Sequence, residues 1–313
     1  MTNPSAKQGL VNRGFDRIAT SGAASREAAR AGQAEVGFEH LLLGVLVTGG
    51  PGARLLMDSG VGLTEARSAI DEILREDLAL LGVDVPVPAP SGEDPKGWLR
   101  FTPRLEELEY DIPLAGGDAA LLAALIDDEG GRVRRVLDRL GADTDRIRRD
   151  LGELVERPQA PEPSSPAGGA DASEQPPEGW EYTNYDLEVP VSPERVWELV
   201  SDPERRGEWD PASVSSRQLG DGVVELTNSL TENAVRESIT HSVPGREVTW
   251  TQDDSGRTLR ILIEPLGDRS RLRLRRAWRN GLKHRVIANR VVRWIAWQNL
   301  RGHAQSIAQA AAS

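Results

Sequence analysis

Residues 37–44 read Gly37-Phe38-Glu39-His40-Leu41-Leu42-Leu43-Gly44. The apolar run that follows, Leu41 to Val47, is far shorter than the ~20 residues that cross a bilayer, so it reads as a buried helix of a soluble protein. On both sides of it apolar residues recur with helical spacing, and glycines or prolines punctuate them at intervals too short for long coiled coils. Residues 1–157 therefore read as all-α. Within them Arg54-Leu55-Leu56-Met57-Asp58-Ser59-Gly60, followed by Ile70 and Ile73, parallels Arg135-Val136-Leu137-Asp138-Arg139-Leu140-Gly141, followed by Leu151 and Leu154, at an offset of 81 residues. Two copies of one helical unit are expected, over about 11–78 and 100–155.

The 313 residues, 38% of them hydrophobic, suffice for about two domains of ~150 residues, each with a core. No cysteine is present, which excludes disulfide frameworks, zinc–thiolate sites and thiol nucleophiles. The polar start of the chain has no apolar h-region, so the cytoplasm is the expected address. Lys7, Lys96 and Lys283 are the only lysines, and none stands in Gly-x-x-x-x-Gly-Lys-Ser/Thr, where backbone amides and a lysine cradle phosphates. ATP hydrolysis through a P-loop is excluded. The net charge of −11 is unevenly placed, for Arg269 to Ser313 carry eleven Lys or Arg and no acid. That is either a solvated arginine face or a field for an anionic partner.

Residues 158–179, PQAPEPSSPAGGADASEQPPEG, are dense in Pro, Ala, Ser and Gly and almost free of large apolar side chains, which predicts a disordered linker. Beyond it, over 180–313, strand-like alternation dominates: Val223–Leu230, Val235–Val243, Glu247–Gln252, Leu259–Ile263 and Arg271–Trp278. Ser192-Pro193-Glu194 opens a helix, with Ser192 as cap and Pro193 at the first helical position, and Asp202-Pro203 gives a second cap signal. A last helix, about 283–311, is long enough to cross a whole sheet.

Ala28-x-x-Ala31-Gly32, the 37–44 stretch, Leu55-Leu56 and Gly60 resemble the Clp N-terminal repeat. The second copy opens with Phe101-Thr102-Pro103-Arg104 and runs through Leu121-Leu122-Ala123-Ala124-Leu125-Ile126 to Gly141, so the resemblance covers residues 11–155. In that family a glutamate at the Glu-His step and a threonine after the opening Phe help receive phosphorylated arginine or adaptor segments, once per repeat. Glu39 matches in repeat one, but its threonine position falls near Gly14; Thr102 matches in repeat two, where Ala119 replaces the glutamate. Each pocket is thus expected to lack one partner, with Glu39 and Thr102 left as peptide-binding candidates. His40 is expected to cap or pack its own helix.

Val189-Pro190-Val191-Ser192-Pro193-Glu194-Arg195-Val196-Trp197, with Asp202-Pro203 and Trp209-Asp210-Pro211, resembles the helix-grip fold of the START-like superfamily, which includes polyketide cyclases, aromatase-like proteins and lipid carriers. The resemblance implies an α+β domain over 180–313, an antiparallel sheet wrapped around a long C-terminal helix, and it specifies no reaction.

Period-two alternation assigns faces to the strands. Val224, Leu226 and Leu230 share one with Asn228; Val235, Ile239 and Val243 share one with Glu237 and His241; Leu272, Leu274 and Trp278 share one with Arg276. Arg271, Arg273 and Arg275 then point outward. On the last helix a 100° wheel puts Ile287, Val291, Trp294, Ile295 and Gln298 on the sheet side and Lys283, Arg290, Arg293 and Arg301 opposite. Asn228, Glu237, His241, Trp250, Arg276, Trp278, Trp294 and Gln298 are the ligand-binding candidates. Glu237 or His241 is the candidate general base, and Arg276 suits a carboxylate or phenolate. The plainer reading pairs Glu237 with Arg276 and buries the tryptophans in the core.

Three functions follow. The first is a non-enzymatic Clp-type accessory protein, binding a protease component, adaptor or client through its first domain and a small hydrophobic or aromatic molecule through its second. The second is a cyclase- or hydrolase-type enzyme recruited by the helical domain. The third, contact with nucleic acid or membrane, is disfavoured by the acidic chain. No cofactor and no metal is called for, and no catalytic residue is assigned.

Overall fold

The computed structural model describes residues 4–82, 99–156, 179–211, 213–220, 222–228, 234–279 and 286–313, without the side chains of 4–11, 213–214, 228 and 286–291. The chain divides into two compact units, 1–161 and 162–313. The expected linker lies outside the described residues apart from Gly179.

The first unit is helical, as expected. Its helices are α1 (Pro4–Arg30), α2 (Phe38–Thr48), α3 (Pro51–Asp58), α4 (Leu63–Leu80), α5 (Pro103–Asp111), α6 (Gly117–Asp127), α7 (Arg132–Arg139) and α8 (Thr144–Glu156). The internal repeat is visible helix by helix, because α3 and α7 begin and end 81 residues apart. Both helices stop in the same way. Gly60 (φ 84°) and Gly141 (φ 69°) are left-handed, and the chain turns back so that Val61 N–H donates to the Leu56 carbonyl (3.0 Å) and Ala142 N–H to that of Leu137 (3.1 Å). This C-terminal cap favours glycine, which has no Cβ to clash at positive φ.

The core of this unit is α2, whose Leu41, Leu42, Val45 and Leu46 are fully buried. Each contributes about 1.5–3 kcal/mol by leaving water. The glycine of the 37–44 stretch has a steric reason: a Cβ on Gly44 would sit 2.6 Å from the Thr20 carbonyl oxygen and 2.9 Å from Ala24 N. Glycine lets α1 lie directly on α2. The two repeats are tied by Asp118, whose carboxylate accepts from Gly52 N–H (2.9 Å) and Ala53 N–H (3.1 Å) at the start of α3, donors that a helix leaves unmade. A short parallel ribbon of β1 (Glu35–Val36) and β2 (Arg100–Phe101) pairs Glu35 with Arg100 and Val36 with Phe101.

The second unit has seven antiparallel strands: β3 (Trp180–Val189), β4 (Ser213–Gly220), β5 (Val223–Asn228), β6 (Ala234–Val243), β7 (Glu247–Gln252), β8 (Thr258–Leu266) and β9 (Arg269–Arg279). They stand in the order β3-β9-β8-β7-β6-β5-β4. Helix α9 (Pro193–Val200) has the expected Ser192 cap, accepting from Arg195 N–H at 3.5 Å. The Asp202-Pro203 signal leads only to a 3-10 turn, Arg206–Glu208. The last helix, α10 (Val286–Ala312), packs on β3, β9 and α9, giving the helix-grip arrangement.

Two face assignments change. Leu272, Leu274 and Trp278 are buried, as alternation predicts. His241 is not on the inner face: its side chain is 57% exposed, because the pairing of β6 with β7 shifts between Ile239 and His241. A one-residue slip sends the following side chains to the other face. On α10 the wheel is out of phase. Ile295 is 47% exposed, whereas Trp297, Leu300, Arg301, Ala304, Ile307 and Ala308 are buried.

The outward arginines of β9 face acids and an amide on the neighbouring strands. Arg271 donates to Glu188 (2.6 Å) and Arg275 to Asn184 (3.1 Å), while Arg273 lies 3.7 Å from Asp186 and 3.2 Å from Glu264. Their register partners on β3 are Glu188, Asn184 and Asp186. The basic strand is therefore largely neutralised within its own sheet.

Candidate functional site

In the helical unit the ribbon brings the opening of the second repeat against the first. Thr102 N–H donates to the Val36 carbonyl (3.0 Å). Glu39, His40, Glu35, Arg100 and Thr102 then line one open cleft of 470 Å³. Glu39 of the first repeat thus lines the same cleft as Thr102 of the second. At the other two positions, Gly14 and the fully buried Ala119, neither hydroxyl nor carboxylate is available.

Glu39 sits in the first turn of α2 and folds back over Gly37, where a Cβ would lie 2.8 Å from its Oε2. Its Oε2 is 4.0 Å from Arg132 Nε, a loose and half-exposed contact that leaves the carboxylate facing the cleft. His40 is buried and accepts the Gly37 N–H on Nδ1 (2.9 Å), the capping role expected of it. Burial lowers its pKa, against the pull of Glu39 and Glu27.

In the second unit a charged cluster lies between the sheet and α10. Its centre is Arg206, fully buried and not anticipated from the sequence. Arg206 donates to Glu237 Oε2 through Nε (3.1 Å) and Nη2 (2.7 Å), and Nη2 is 2.9 Å from Asp210 Oδ2. Its guanidinium lies 3.9 Å from the Trp209 ring centroid and 5.5 Å from that of Trp250, so two indole faces and two carboxylates surround one cation. Glu237 therefore pairs with Arg206 and not with Arg276. The available signal was the inward Glu237, which demanded a cation; which arginine answered it depends on the turn after α9.

Arg276 has a different partner. Its Nη2 is 3.4 Å from His303 Nε2. His303 Nδ1 faces the Asn299 carbonyl at 2.8 Å, and its Nε2 stands between Arg276 Nη2 and Asp210 Oδ2, 3.4 Å from each. Burial lowers the His303 pKa, Arg276 adds to this, and the hydrogen bond to Asp210 opposes it. Burial also lowers the Arg276 pKa, against the attraction of Glu237.

The remaining candidates are scattered. Trp250 is a core residue, edge-on to Trp209 at 6.2 Å and donating to the Val200 carbonyl (3.0 Å). Trp278 is buried near the end of β9, opposite Glu181. Trp294 and Gln298 are half-buried one turn apart on α10, and the Asn228 side chain lies outside the described ones. Trp297, edge-on to Tyr185 at 5.7 Å, and Arg301, 5.5 Å over the Trp297 ring, are inner residues that the sequence reading missed. Burial brings the Arg301 pKa down to about 10. Among the described residues no group of His, Asp or Glu is arranged to hold a metal, and no single helix is long and apolar enough to cross a membrane.

Known proteins match both units. The family described as "Polyketide cyclase / dehydrase and lipid transport" matches residues 184–309. The ClpA homolog CD4B of Solanum lycopersicum is 26% identical over 72% of this chain and 24% of its own length, and ClpC1 of Arabidopsis thaliana is likewise 26% identical over 72% and 24%. The chain thus spans about a quarter of the curated relatives it matches. A START superfamily protein from Mycobacterium smegmatis is 18% identical over 40% of this chain and 92% of its own, with a TM-score of 0.35. Residues 184–309 are thus a polyketide cyclase-like domain of helix-grip fold, preceded by a helical part related to the N-terminal region of Clp proteins.

Proposed function

We propose that this is a non-ATPase accessory protein of the Clp type, whose helical domain receives a protein or peptide and whose second domain holds a small hydrophobic or aromatic molecule. The partner on the first side is a Clp protease component, an adaptor or a client. One observation carries the reading: Glu39 and Thr102, from different repeats, share an open cleft with Arg100. A carboxylate is the natural mate of a guanidinium, and a hydroxyl beside an arginine suits an anion. The cleft therefore matches a side chain with both, such as phosphoarginine.

Fluorescence anisotropy with three labelled peptides, carrying phosphoarginine, arginine or phosphoserine at one position, tests it. Phosphoarginine is expected to bind best, and Glu39→Gln or Thr102→Val to weaken it about tenfold, the loss of one charge-assisted hydrogen bond. No binding by any peptide, or affinities indifferent to both substitutions, overturns the reading.

The enzyme alternative loses support. His241 is exposed on the outer face and Glu237 is bound to Arg206, so neither is placed to take a proton beneath α10.

A further inference from the structure

We propose that Arg132 is a specificity-determining residue of the cleft in the helical domain: its charge, held beside Glu39, makes the cleft select a side chain that carries both a guanidinium and a phosphate over one that carries a guanidinium alone. The inference rests on the preceding reading of the cleft and names what sets its selectivity.

The lining of the cleft carries two carboxylates, Glu35 and Glu39, and one guanidinium, Arg100. His40, also in the lining, has its pKa lowered by burial and adds no charge at neutral pH. Left at that, the cleft is an acidic pocket open to any arginine. Arg132 alters the balance. Its Nε stands 4.0 Å from Glu39 Oε2, too far for a hydrogen bond, so the carboxylate feels a second cation and can still accept from an incoming donor. The guanidinium is fixed from the other side, where Arg132 Nη1 donates to Asp77 Oδ2 at 2.9 Å. Asp77 is shared, its other oxygen accepting from Arg135 Nη1 at 2.6 Å, so it anchors the Arg132 charge without cancelling it.

Local helix chemistry does not call for an arginine at this position. Arg132 opens α7, where a cation opposes the helix dipole. The matching position 81 residues earlier, the first of α3, is Pro51, whose fixed φ suits that place. The charge at position 132 therefore answers to groups elsewhere in the domain, Asp77 on one side and Glu39 on the other. Specificity is a difference of two affinities and is often set by a repulsive element. Arg132 repels a bare guanidinium that approaches Glu39 and attracts the phosphate of a phosphorylated one, so it acts on the two ligands with opposite sign.

The test is fluorescence anisotropy of the full chain with labelled peptides carrying arginine or phosphoarginine at one position, on the unaltered protein, Arg132→Gln, Arg132→Lys and Arg139→Gln. The two side chains differ by about two units of charge, and each unit a few ångström from Arg132 in half-exposed surroundings is worth about threefold in affinity. Arg132→Gln is therefore expected to tighten the arginine peptide and weaken the phosphoarginine peptide, cutting their affinity ratio by about tenfold. Arg132→Lys keeps the charge and should keep most of the ratio. Arg139→Gln removes a charge about two turns further along α7, where it meets Glu72 and Glu76, and should leave the ratio unchanged. Equal affinities for the two peptides in the unaltered protein, a ratio that Arg132→Gln does not lower, or one that Arg132→Lys or Arg139→Gln lowers as far, overturn the inference and leave the binding site standing. If neither peptide binds the unaltered protein, the preceding reading falls as well.

Discussion

At the residue scale, the second domain turns on which groups share a buried charge. Glu237 and Asp210 both contact Arg206, and His303 lies buried with its Nε2 3.4 Å from both Arg276 Nη2 and Asp210 Oδ2. This has a consequence for pH. The folded-state pKa of His303 lies below its ordinary value of 6.5, so below about pH 6.5 the unfolded chain binds a proton that the folded domain refuses. Stability from this group is complete above that pH and is lost as pH falls through the window beneath it. Thermal unfolding followed from pH 7.5 to 5.5 should show a falling melting temperature, with a slope of at most about 1.4 kcal/mol per pH unit from this group. His303→Gln should flatten that slope; an unchanged slope would show that His303 is not the titrating group.

At the scale of elements, glycines show how the helical repeat is specified, and they do so for two different physical reasons. Gly60 and Gly141 end α3 and α7 at positive φ, and a Cβ on either would meet nothing within 4 Å. Their replacement by alanine should cost only the backbone penalty, about 1–2 kcal/mol each. Gly44 is helical, and its Cβ would strike the backbone of α1 at 2.6 Å, so Gly44→Ala must push two helices apart and should cost more than either. Urea unfolding of the three variants checks the order; equal losses would refute the close approach of α1 and α2. The long helix α10 illustrates the opposite case. Apolar residues occur all round its first half, so the wheel offers two faces. Only packing on β3 and β9 selects the stripe through Trp297, Leu300, Ala304 and Ile307.

At the scale of the whole molecule, the composition of residues 158–179 leads to the expectation that the two halves fold separately and that proteolysis begins between them. That stretch contains no Lys or Arg, so a protease cutting after Glu is the suitable probe. First cuts near Glu162, Glu174 or Glu178 are expected, each product keeping its own unfolding transition; first cleavage within either half would sink the idea. What the sequence determined by itself was whatever depends on local periodicity and on fixed backbone geometry. That includes the helical repeat with its 81-residue offset, the Ser192 cap, the strands β5 to β9 and the last helix, and the inner face of β9. It also placed Glu39, Thr102 and Arg276 among the functional candidates. Three things were decided only by the tertiary structure, because each depends on residues far apart in the chain. Glu39 and Thr102 line one cleft across repeats because β1 pairs with β2. His241 leaves the inner face at a register shift that no residue type announces. Arg206 captures Glu237 because the turn after α9 carries it under the sheet, 31 residues away in sequence, and a charge buried in low dielectric takes whichever opposite charge the fold brings within contact.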